Sequence, residues 1–352
     1  MDIVVLAGGL SYERDVSLSS GGKIATALEE KGHSVLLLDI YLGMDANNFE
    51  EALQKQTKNN KNRDYSIGKK EPALENLTKF SQQQNDLVGN NVISICKSAD
   101  FCFLALHGGI GENGKLQALF DIYNIKYSGS DYKSSLLAMD KEVSKKLMDK
   151  EVSKKLMVSN HILTPNWEMI DSFYQRKISA PCVVKPIDNG SSIGVEMVEE
   201  DTHLDEAVKA AEKFQSKIMI EEKITGREFS VGILGDSVLP VIEIIPKHGF
   251  YNYENKYQEG ATTEITPAEI SEELTKKLSD LALLTHNTLG LSVYSRIDFM
   301  VTSEFKIYCI EANSLPGMTP TSLLPQEAAA HGIHFSDLCE KIVQFSLDKY
   351  NV

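Results

Sequence analysis

Two polar motifs near the end of the chain have the residue types that chemistry on phosphates requires. Arg296 and Asp298 are two apart in one apolar stretch, and Glu311 and Asn313 are two apart in the next. Because such residues share a face of a strand, an even-numbered connection places all four on one side of the sheet. Carboxylate and amide oxygens without His or Cys favour Mg²⁺ with a nucleotide over zinc. The alternative is a solvated polar face with one salt bridge, and in both cases the opposite face is expected to carry Ile297, Phe299 and Ile310.

A second motif joins a lysine at a strand end, Lys185, to a glycine- and serine-rich loop at residues 190–194. Backbone amides and hydroxyls of such a loop can hold phosphate oxygens while the lysine supplies positive charge. Asn-Gly between apolar strands is also a strong hairpin signal, and the two interpretations are compatible. Acidic residues near Gly226 could accept hydrogen bonds from a sugar or an exocyclic amine, or could line an exposed strand edge: Glu221, Glu222 and Glu228.

The loop at residues 109–114 matches G-x-G-x-x-G between a strand and a helix, the context of a dinucleotide site. A phosphate-binding P-loop is excluded, because Leu116 stands where a Ser or Thr is needed. An NAD-dependent oxidoreductase therefore remains an alternative, although the nearest acid, Asp131, follows a turn-like stretch. A glycine turn without a ligand is the simpler interpretation. His107, which precedes this loop at a strand end, is the histidine best placed for chemistry.

Three tyrosines and a lysine lie in one loop that follows a strand: Tyr251, Tyr253, Lys256 and Tyr257. Aromatic residues in a long loop can form a lid that keeps water from a reactive intermediate. They can equally pin the loop to the core.

The elements that would position these residues fall into two parts. The first half alternates strands and helices, which predicts a parallel, helix-covered sheet with strands at 3–7, 34–38 and 101–106 and helices at 16–31 and 115–123. The second half predicts α+β structure divisible near Gly226, with strands at 182–185, 193–197, 218–222, 229–234, 238–245, 294–300 and 305–310 and helices at 203–214, 268–288 and 335–349. The polar segment 45–90 is expected to be peripheral and to carry no site.

A perfect tandem repeat separates the two halves, because residues 140–148 are followed by the same nine residues at 149–157. Nine helical residues rotate the helix face by roughly half a turn and add ~13 Å, so the two copies cannot present the same side chains to one pocket. We interpret the repeat as a local duplication.

The composition excludes several functional classes. The chain has 352 residues and a formal net charge of −14, which disfavours nucleic acid and acidic membrane surfaces as partners. The five cysteines show no metal-binding spacing and are interpreted as reduced core thiols. The sequence predicts no signal peptide or membrane span, and hence a cytoplasmic protein.

An ordered series of motifs carries a family resemblance along nearly the whole chain. They are Gly8-Gly9-x-Ser11-x-Glu13-Arg14-x-Val16-Ser17, Ala105-Leu106-His107-Gly108 with Gly111-Glu112-x-Gly114, Ala138-Met139-Asp140-Lys141, Lys185-Pro186 with Gly190-Ser191-Ser192, Phe250-Tyr251-x-Tyr253-Glu254-x-Lys256-Tyr257, Arg296-x-Asp298, and Glu311-x-Asn313-x-x-Pro316-Gly317-Met318-Thr319. In order and spacing the chain resembles the D-alanine:D-alanine ligases of the ATP-grasp superfamily.

The resemblance implies a three-domain ATP-grasp fold of α/β and α+β type that clasps ATP. Its domains would be an α/β domain at 1–127 and two α+β domains at 128–226 and 227–352. It further implies ATP, two Mg²⁺ ions (or Mn²⁺), D-alanine as substrate, an acyl-phosphate intermediate and a homodimer. D-serine as the second substrate stays open, because a small pocket rejects one extra hydroxyl only weakly.

The resemblance also implies the site residues. Catalytic roles fall on Glu13, Ser191, Tyr257, Arg296 and the amide of Gly317. Metal binding falls on Asp298, Glu311 and Asn313, and nucleotide binding on Lys141 or Lys150, Lys185, Glu221, Lys223, Ile224, Glu228 and Lys256. His107 would lie near the first amino acid, and Ser322 and Leu323 near the second.

Two departures from the family pattern affect the nucleotide residues. Lys223 stands where an aromatic or aliphatic residue is frequent, and the duplication offers two candidates for one phosphate-contacting lysine. Lys141 keeps the upstream register and Lys150 keeps the spacing to Thr164-Pro165. We favour Lys150, because its helix should stay packed on the downstream domain, and expect Lys150→Ala to impair ATP binding more than Lys141→Ala.

Overall fold

The computed structural model describes residues 1–58, 63, 65–68, 72–75, 77, 86–148, 162–170, 176–187, 190, 192–214, 217–258 and 260–351, without the side chains of 145–148, 254 and 257. Within these residues the chain forms three sheets, one parallel and two antiparallel. None of the helices described has the length and apolar character needed to cross a bilayer.

The first sheet is parallel, with strand order β2-β1-β3. Its strands are β1 (Asp2–Ala7), β2 (Ser34–Asp39) and β3 (Phe101–Leu104), and the neighbouring helices are α1 (Arg14–Glu30), α2 (Phe49–Lys58), α3 (Val92–Ser98) and α4 (Lys115–Tyr123). Helices cover the sheet, so its strands are almost entirely apolar, as in other buried parallel sheets. The carboxyl ends of β1 and β3 lead into the loops that contain Glu13 and His107.

Two helices follow the first sheet, α5 (Tyr132–Met139) and α6 (Lys141–Met148). Asp131 caps α5, because its carboxylate accepts a hydrogen bond from the Ser134 amide. The first copy of the repeat therefore forms α6, whereas the second copy lies outside the described residues.

The second sheet is antiparallel and small, with strand order β4-β7-β5-β6. It contains β4 (Trp167–Ile170), β5 (Cys182–Pro186), β6 (Glu196–Val198) and β7 (Ile218–Glu222), and is covered by α7 (Leu204–Glu212). Its strands place Lys185 and Glu221 on one face, since Val183 pairs with Glu221 and Lys185 with Met219.

The third sheet is antiparallel, with strand order β11-β10-β8-β12-β13, and a short strand, β9, pairs with β8. Its strands are β8 (Arg227–Leu234), β9 (Ser237–Val238), β10 (Ile242–Pro246), β11 (Thr262–Ile265), β12 (Tyr294–Val301) and β13 (Ile307–Asn313). The helices of this part are α8 (Tyr253–Tyr257), α9 (Glu272–Thr288), α10 (Leu323–Ala330) and α11 (Phe335–Asp348). The division predicted near Gly226 falls between β7 and β8.

One apolar core joins the beginning of the chain to its end. The cluster around β1, β2 and β3 also contains Leu324 of α10 and Leu338, Ile342 and Val343 of α11. A second cluster lies between α9 and the third sheet, and a third under α7. The third sheet thus has one apolar face on α9 and one face left for polar residues.

The α/β and α+β classes are confirmed, and several element bounds are corrected. The strand predicted at 193–197 begins only at Glu196, the run at 238–245 is broken at residues 239–241, and the strand predicted at 305–310 is shifted to 307–313. Other elements of the described part were given no bounds by the sequence, among them β4, β11, α2, α3, α5, α8 and α10. Each is short or polar, so its periodicity is weak. All five cysteines lie in the described part, are buried and form no disulfide, as predicted.

Candidate functional site

The polar face of the third sheet opens into a pocket closed by the first part of the chain. Most of the sequence-predicted site residues that the structure describes line this pocket: Glu13, His107, Lys256, Arg296, Glu311, Asn313, Gly317, Ser322 and Leu323. Residues about 280 positions apart in sequence therefore meet at one place. Lys141 lines a smaller adjoining pocket that shares Glu311 and Asn313.

The register between β12 and β13 explains why the four polar side chains meet. Arg296 lies opposite Asn313 and Asp298 opposite Glu311, so all four project from one face, as the motif spacing predicts. The predicted position of Ile310 on the apolar face is wrong. A β-bulge after Asp298 shifts the pairing, and Cys309 rather than Ile310 joins Ile297 and Phe299 in the core.

Asp298 holds a dense set of hydrogen-bond donors. Arg296 donates to both of its carboxylate oxygens, with Nε–Oδ1 and Nη2–Oδ2 distances of 2.9 and 2.8 Å. Asn313 Nδ2 donates to Oδ2 at 3.1 Å. A buried residue that the sequence reasoning missed, Ser230, donates to Oδ1 at 2.6 Å from the neighbouring strand. Only the β8–β12 register could have revealed Ser230, because it carries no motif.

The charge on Glu311 is stabilised by surrounding cations. Burial alone would raise the pKa of this carboxyl, but Lys141, Lys256, Lys185 and Arg296 together hold it below its ordinary value. Glu311 therefore stays ionised at neutral pH. Arg296 and Lys185 also form ion pairs with Asp298 and Glu221, so cations and carboxylates are interleaved around Glu311.

The residues predicted around adenosine lie along the connection from β7 to β8. Lys185 Nζ contacts the Glu221 carboxylate at 2.9 Å, and both side chains are buried. Lys223 points instead to a partly exposed pair with Glu199, and Ile224 is half-buried in the loop. Glu228 lies at the start of β8, where burial raises the pKa of its carboxyl to about 7 against the opposing charge of Lys256. None of these residues lines the pocket around Arg296, although the charge of Lys185 acts on Glu311.

The first part of the chain supplies a buried carboxylate and a buried histidine. Glu13 immediately precedes α1, and His107 follows β3. The His107 ring lies 3.2 Å from Ser20 Oγ through Nε2 and 3.8 Å from Glu112 Oε1 through Nδ1. Glu112 lines both pockets. Beside this pair, residues 109–111 of the glycine loop form a short 3-10 turn, and Gly114 immediately precedes α4.

Gly190 of the loop after β5 approaches Glu13 closely. A Cβ atom built on Gly190 would lie 2.4 Å from Glu13 Oε2, so no side chain fits without a shift. We expect Gly190→Ala to displace this loop from Glu13 and to lower turnover by about 10- to 100-fold, since ångström-scale misplacement at a reacting centre has this cost. Steady-state turnover checks this. Gly32→Ala is the control, because it adds backbone strain where no atom lies within 4 Å, and equal losses in both variants would contradict the role of Gly190.

The far wall of the pocket is formed where β13 leads into α10. Gly317 lies beside Ser322, the residue that precedes α10, and Leu323 is buried at the first position of the helix. Ser322 Oγ accepts a hydrogen bond from the Thr319 amide at 3.1 Å. This hydrogen bond folds the loop so that Gly317, Ser322 and Leu323 face the same space.

Three predicted site residues cannot be placed. Ser191 and Lys150 lie outside the described residues, and the side chain of Tyr257 is likewise outside them. Their roles stay predictions. One prediction about the segment 45–90 is wrong: Ile67 lines the pocket. It packs against Val16, Ile193 and Tyr253, a contact that a single apolar residue in a polar segment does not reveal.

The donor set of this face fits a hard cation better than a soft one. Among the residues described, no group of three His, Cys, Asp or Glu side chains could hold a metal by itself. Asp298 and Glu311 face each other across two strands, with the Asn313 amide beside them. Mg²⁺ is typically bound by one or two protein carboxylates, and phosphate oxygens of the substrate complete its ligand set. The donors on this face fit that pattern.

Comparison with known proteins identifies the family. Two family models match the chain, "D-ala D-ala ligase N-terminus" over residues 2–130 and "D-ala D-ala ligase C-terminus" over residues 151–344. The chain belongs to the D-alanine–D-alanine ligase family. A D-alanine–D-alanine ligase of Pediococcus pentosaceus is 44% identical to it, over 97% of each chain. The first copy of the repeat lies between the two matched regions, and the second match begins inside the second copy.

Solved ligase structures have the same fold. The D-alanine–D-alanine ligase of Bacillus anthracis complexed with ATP is similar with a TM-score of 0.71 and 27% identity, covering 99% of this chain and 98% of that one. The VanG D-Ala:D-Ser ligase of Enterococcus faecalis is similar with a TM-score of 0.71 and 26% identity, covering 98% of each chain. The ATP-grasp architecture is thereby confirmed, and the alternative of an NAD-dependent oxidoreductase is not supported.

Proposed function

We propose that this protein joins two D-alanines into D-Ala-D-Ala with ATP, which supplies the dipeptide precursor of peptidoglycan. The observation that carries the proposal is the meeting of Glu13 with Arg296, Glu311 and Asn313 in one pocket. It combines an acid for an ammonium group with the cations and oxygen donors that a phosphoryl transfer needs. Family membership and the ATP complex of a relative support the same reaction.

The reaction requires activation because a carboxylate is a poor electrophile. The carboxylate oxygen of the first D-alanine attacks the γ-phosphorus of ATP, and ADP leaves, which gives an acyl phosphate. The amine of the second D-alanine then attacks the acyl carbon, loses a proton, and phosphate departs as the C–N bond forms. Negative charge develops on the acyl oxygen in this second step.

Each part of the pocket has a role in this sequence. Glu13 binds the ammonium group of the first D-alanine, in a hydrogen-bonded set with Ser191 and Tyr257, and His107 lies near the same substrate. Arg296 and the amide of Gly317 stabilise the oxyanion of the tetrahedral intermediate. Ser322 and Leu323 contact the second D-alanine. The adenosine lies along the β7–β8 connection, near Glu221, Lys223, Ile224 and Glu228, and Lys185 and Lys256 face the phosphates.

Asp298, Glu311 and Asn313 would hold Mg²⁺. When bound, two such ions would neutralise charge on the β- and γ-phosphate oxygens, and Mn²⁺ has the same ligand preference. The hydrogen bonds from Arg296 and Ser230 fix the orientation of the Asp298 carboxylate, as is common for metal-binding carboxylates.

For the phosphate-contacting lysine of the duplicated segment, the contacts favour Lys141. Its Nζ is buried, donates to the Ile187 carbonyl at 3.1 Å, and contributes the largest of the charges that lower the pKa of Glu311. The sequence argument favours Lys150. On the strength of these contacts we propose Lys141 as the phosphate-contacting lysine. We expect Lys141→Ala to raise the KM for ATP by about tenfold or more, the cost of one charge-assisted hydrogen bond.

The duplication supplies an unusual control for this prediction. Because the two copies are identical, deletion of either one gives the same chain. That chain has one copy of the repeat, and therefore one lysine in the position of Lys141 and Lys150. Initial rates over a range of ATP concentrations are compared for Lys141→Ala, Lys150→Ala and the deletion. A larger effect of Lys150→Ala would overturn the choice of Lys141 and restore the sequence argument.

The proposed function is tested by Mg²⁺-dependent phosphate release from ATP with D-alanine. Parallel reactions contain L-alanine, or D-alanine with D-serine, and mass spectrometry identifies the products. Phosphate release coupled to D-Ala-D-Ala and absent with L-alanine is the expected result. A predominance of D-Ala-D-Ser at equal concentrations would move the assignment to a D-Ala:D-Ser ligase, and absence of any dipeptide would refute it.

We further propose the domain bounds 1–127, 128–226 and 227–352, a cytoplasmic location and a homodimeric state. The resemblance to the family supports these assignments. Light scattering coupled to size-exclusion chromatography measures the oligomeric state directly.

A further inference from the structure

A chain of hydrogen bonds connects the tyrosine-rich loop to α10. Tyr251 donates its hydroxyl proton to Glu264 Oε1 at 3.1 Å, and Gln326 Nε2 donates to the other oxygen of the same carboxylate. Gln326 Nε2 also donates to the carbonyl of Thr321 at 2.8 Å. These contacts join three separate elements: the loop before α8, strand β11, and α10 with the residues that precede it. We refer to Tyr251, Glu264 and Gln326 as the Tyr251 chain.

The Tyr251 chain fixes an aromatic ring against the pocket. The ring packs on a small apolar cluster of Ile242, Ile244 and Leu323. Lys256 Nζ lies 5.1 Å from the centroid of the same ring, a cation–π contact. Tyr251, Lys256 and Leu323 all line the pocket, whereas Glu264 and Gln326 do not.

The position of Gln326 makes the chain relevant to one particular wall. Gln326 lies in the first turn of α10, which begins at Leu323, and Thr321 and Ser322 immediately precede this helix. Thr321, Ser322 and Leu323 all line the pocket beside Gly317, whereas Gln326 lies behind them. The same glutamine thus holds both the backbone of this wall, through Thr321, and the loop that packs on it, through Glu264.

We propose that Glu264 and Gln326 are positioning residues for the second amino acid. They hold the Tyr251 ring on Leu323 and fix the Thr321 carbonyl. These contacts set the position of the pocket wall that the incoming amino acid contacts. This inference rests on the proposed function, because that function assigns Ser322 and Leu323 to the second D-alanine. Neither residue touches substrate, so their effect passes through Tyr251, Thr321 and Leu323.

The clamp has a distinctive kinetic consequence. In the proposed function the adenosine lies along the β7–β8 connection and the first D-alanine is held by Glu13, so a loosened wall affects mainly binding of the second substrate. A single carboxylate receives both donors, so removing either donor already breaks the hydrogen-bonded link between the loop and α10. Two substitutions in the chain should therefore cost no more than one.

The test uses Gln326→Met, Glu264→Gln and the double variant of the full-length protein. Gln344→Met is the matched control, since Gln344 Nε2 donates to Glu340 at 3.0 Å on the exposed side of α11. Rates are measured over D-alanine and ATP concentrations and fitted with separate constants for the first and second D-alanine. Thermal unfolding is recorded for every variant.

Each single variant is expected to raise the KM for the second D-alanine about tenfold, the cost of a lost hydrogen bond to a charged group. The ATP KM and the constant for the first D-alanine should change less than the second KM, and the double variant should match the single ones. Equal changes in all constants, additive effects, or no effect on the second KM would overturn the inference. Absence of dipeptide synthesis by the wild-type protein would instead refute the proposed function.

Discussion

Replacement of Arg296 with lysine is expected to lower kcat by about 100- to 1,000-fold, the cost of losing one preorganised oxyanion donor. Lysine retains the positive charge but loses the planar fork that donates to both oxygens of Asp298. The guanidinium is thus lost both as a donor to the acyl oxygen and as the group that orients Asp298. Binding of ATP should change much less, because the adenosine and the phosphates have other contacts.

The control for this substitution lies on the adjacent strand. Arg227 of β8 forms a similar forked pair with Glu243, at 2.6 and 2.7 Å, but its side chain is half exposed and does not line the pocket. Arg227→Lys should keep kcat within about twofold, because Arg227 does not line the pocket. Single-turnover and steady-state rates are measured for both variants, together with ATP affinity by calorimetry. An Arg296→Lys enzyme with more than a tenth of the wild-type kcat would exclude the oxyanion role.

Asp298→Asn is expected to lower kcat by at least about 100-fold and to raise the Mg²⁺ concentration needed for half-maximal activity, because Mg²⁺ prefers charged oxygen ligands. The substitution preserves shape and removes one negative charge. It also weakens the hydrogen bonds from Arg296 and Ser230, so a loss of activity alone would be ambiguous. The dependence on Mg²⁺ resolves this ambiguity, since a purely structural defect lowers the maximum without shifting the half-saturation point.

Glu243→Gln is the matched control for Asp298→Asn. Glu243 is also a buried carboxylate that accepts two hydrogen bonds from an arginine of the same sheet, outside the pocket. Phosphate release is titrated with Mg²⁺ and Mn²⁺ for both variants. A half-saturation point that is the same in Asp298→Asn as in the wild type would show that this carboxylate does not bind the metal.

The face of Arg296 and Asp298 could be predicted because strand geometry is local. Side chains alternate along a strand, so two motifs with spacing of two need only a correct register to meet. The bulge that displaces Ile310 was not predictable, because an extra residue in one strand depends on packing against the opposite core. The overall fold was likewise accessible, since apolar runs and glycine turns mark the parallel sheet.

The electrostatics of the site were much less accessible. The pKa of Glu311 depends on four cations that come from α6, β5, α8 and β12. Nothing in the sequence around Glu311 indicates these contacts, which exist only once α6 and the second sheet are packed against the third sheet. The same holds for Ser230 and Ile67, whose roles follow from neighbours distant in sequence. The preference for Lys150 rested on sequence spacing alone. The hydrogen bond from Lys141 to the Ile187 carbonyl and its effect on the pKa of Glu311 could not be inferred from spacing.

The shared core has a consequence for biosynthesis. Helix α11 packs on α1 beside the first sheet, with Leu338, Ile342 and Val343 in the shared core and a His33–Glu340 contact at 2.7 Å. About 230 residues are translated between the end of β3 and the start of this helix, which takes roughly 10–50 s at ordinary rates of elongation. The apolar surface of α1 that α11 covers is therefore exposed on the ribosome until the last residues emerge, which makes it a natural binding site for chaperones.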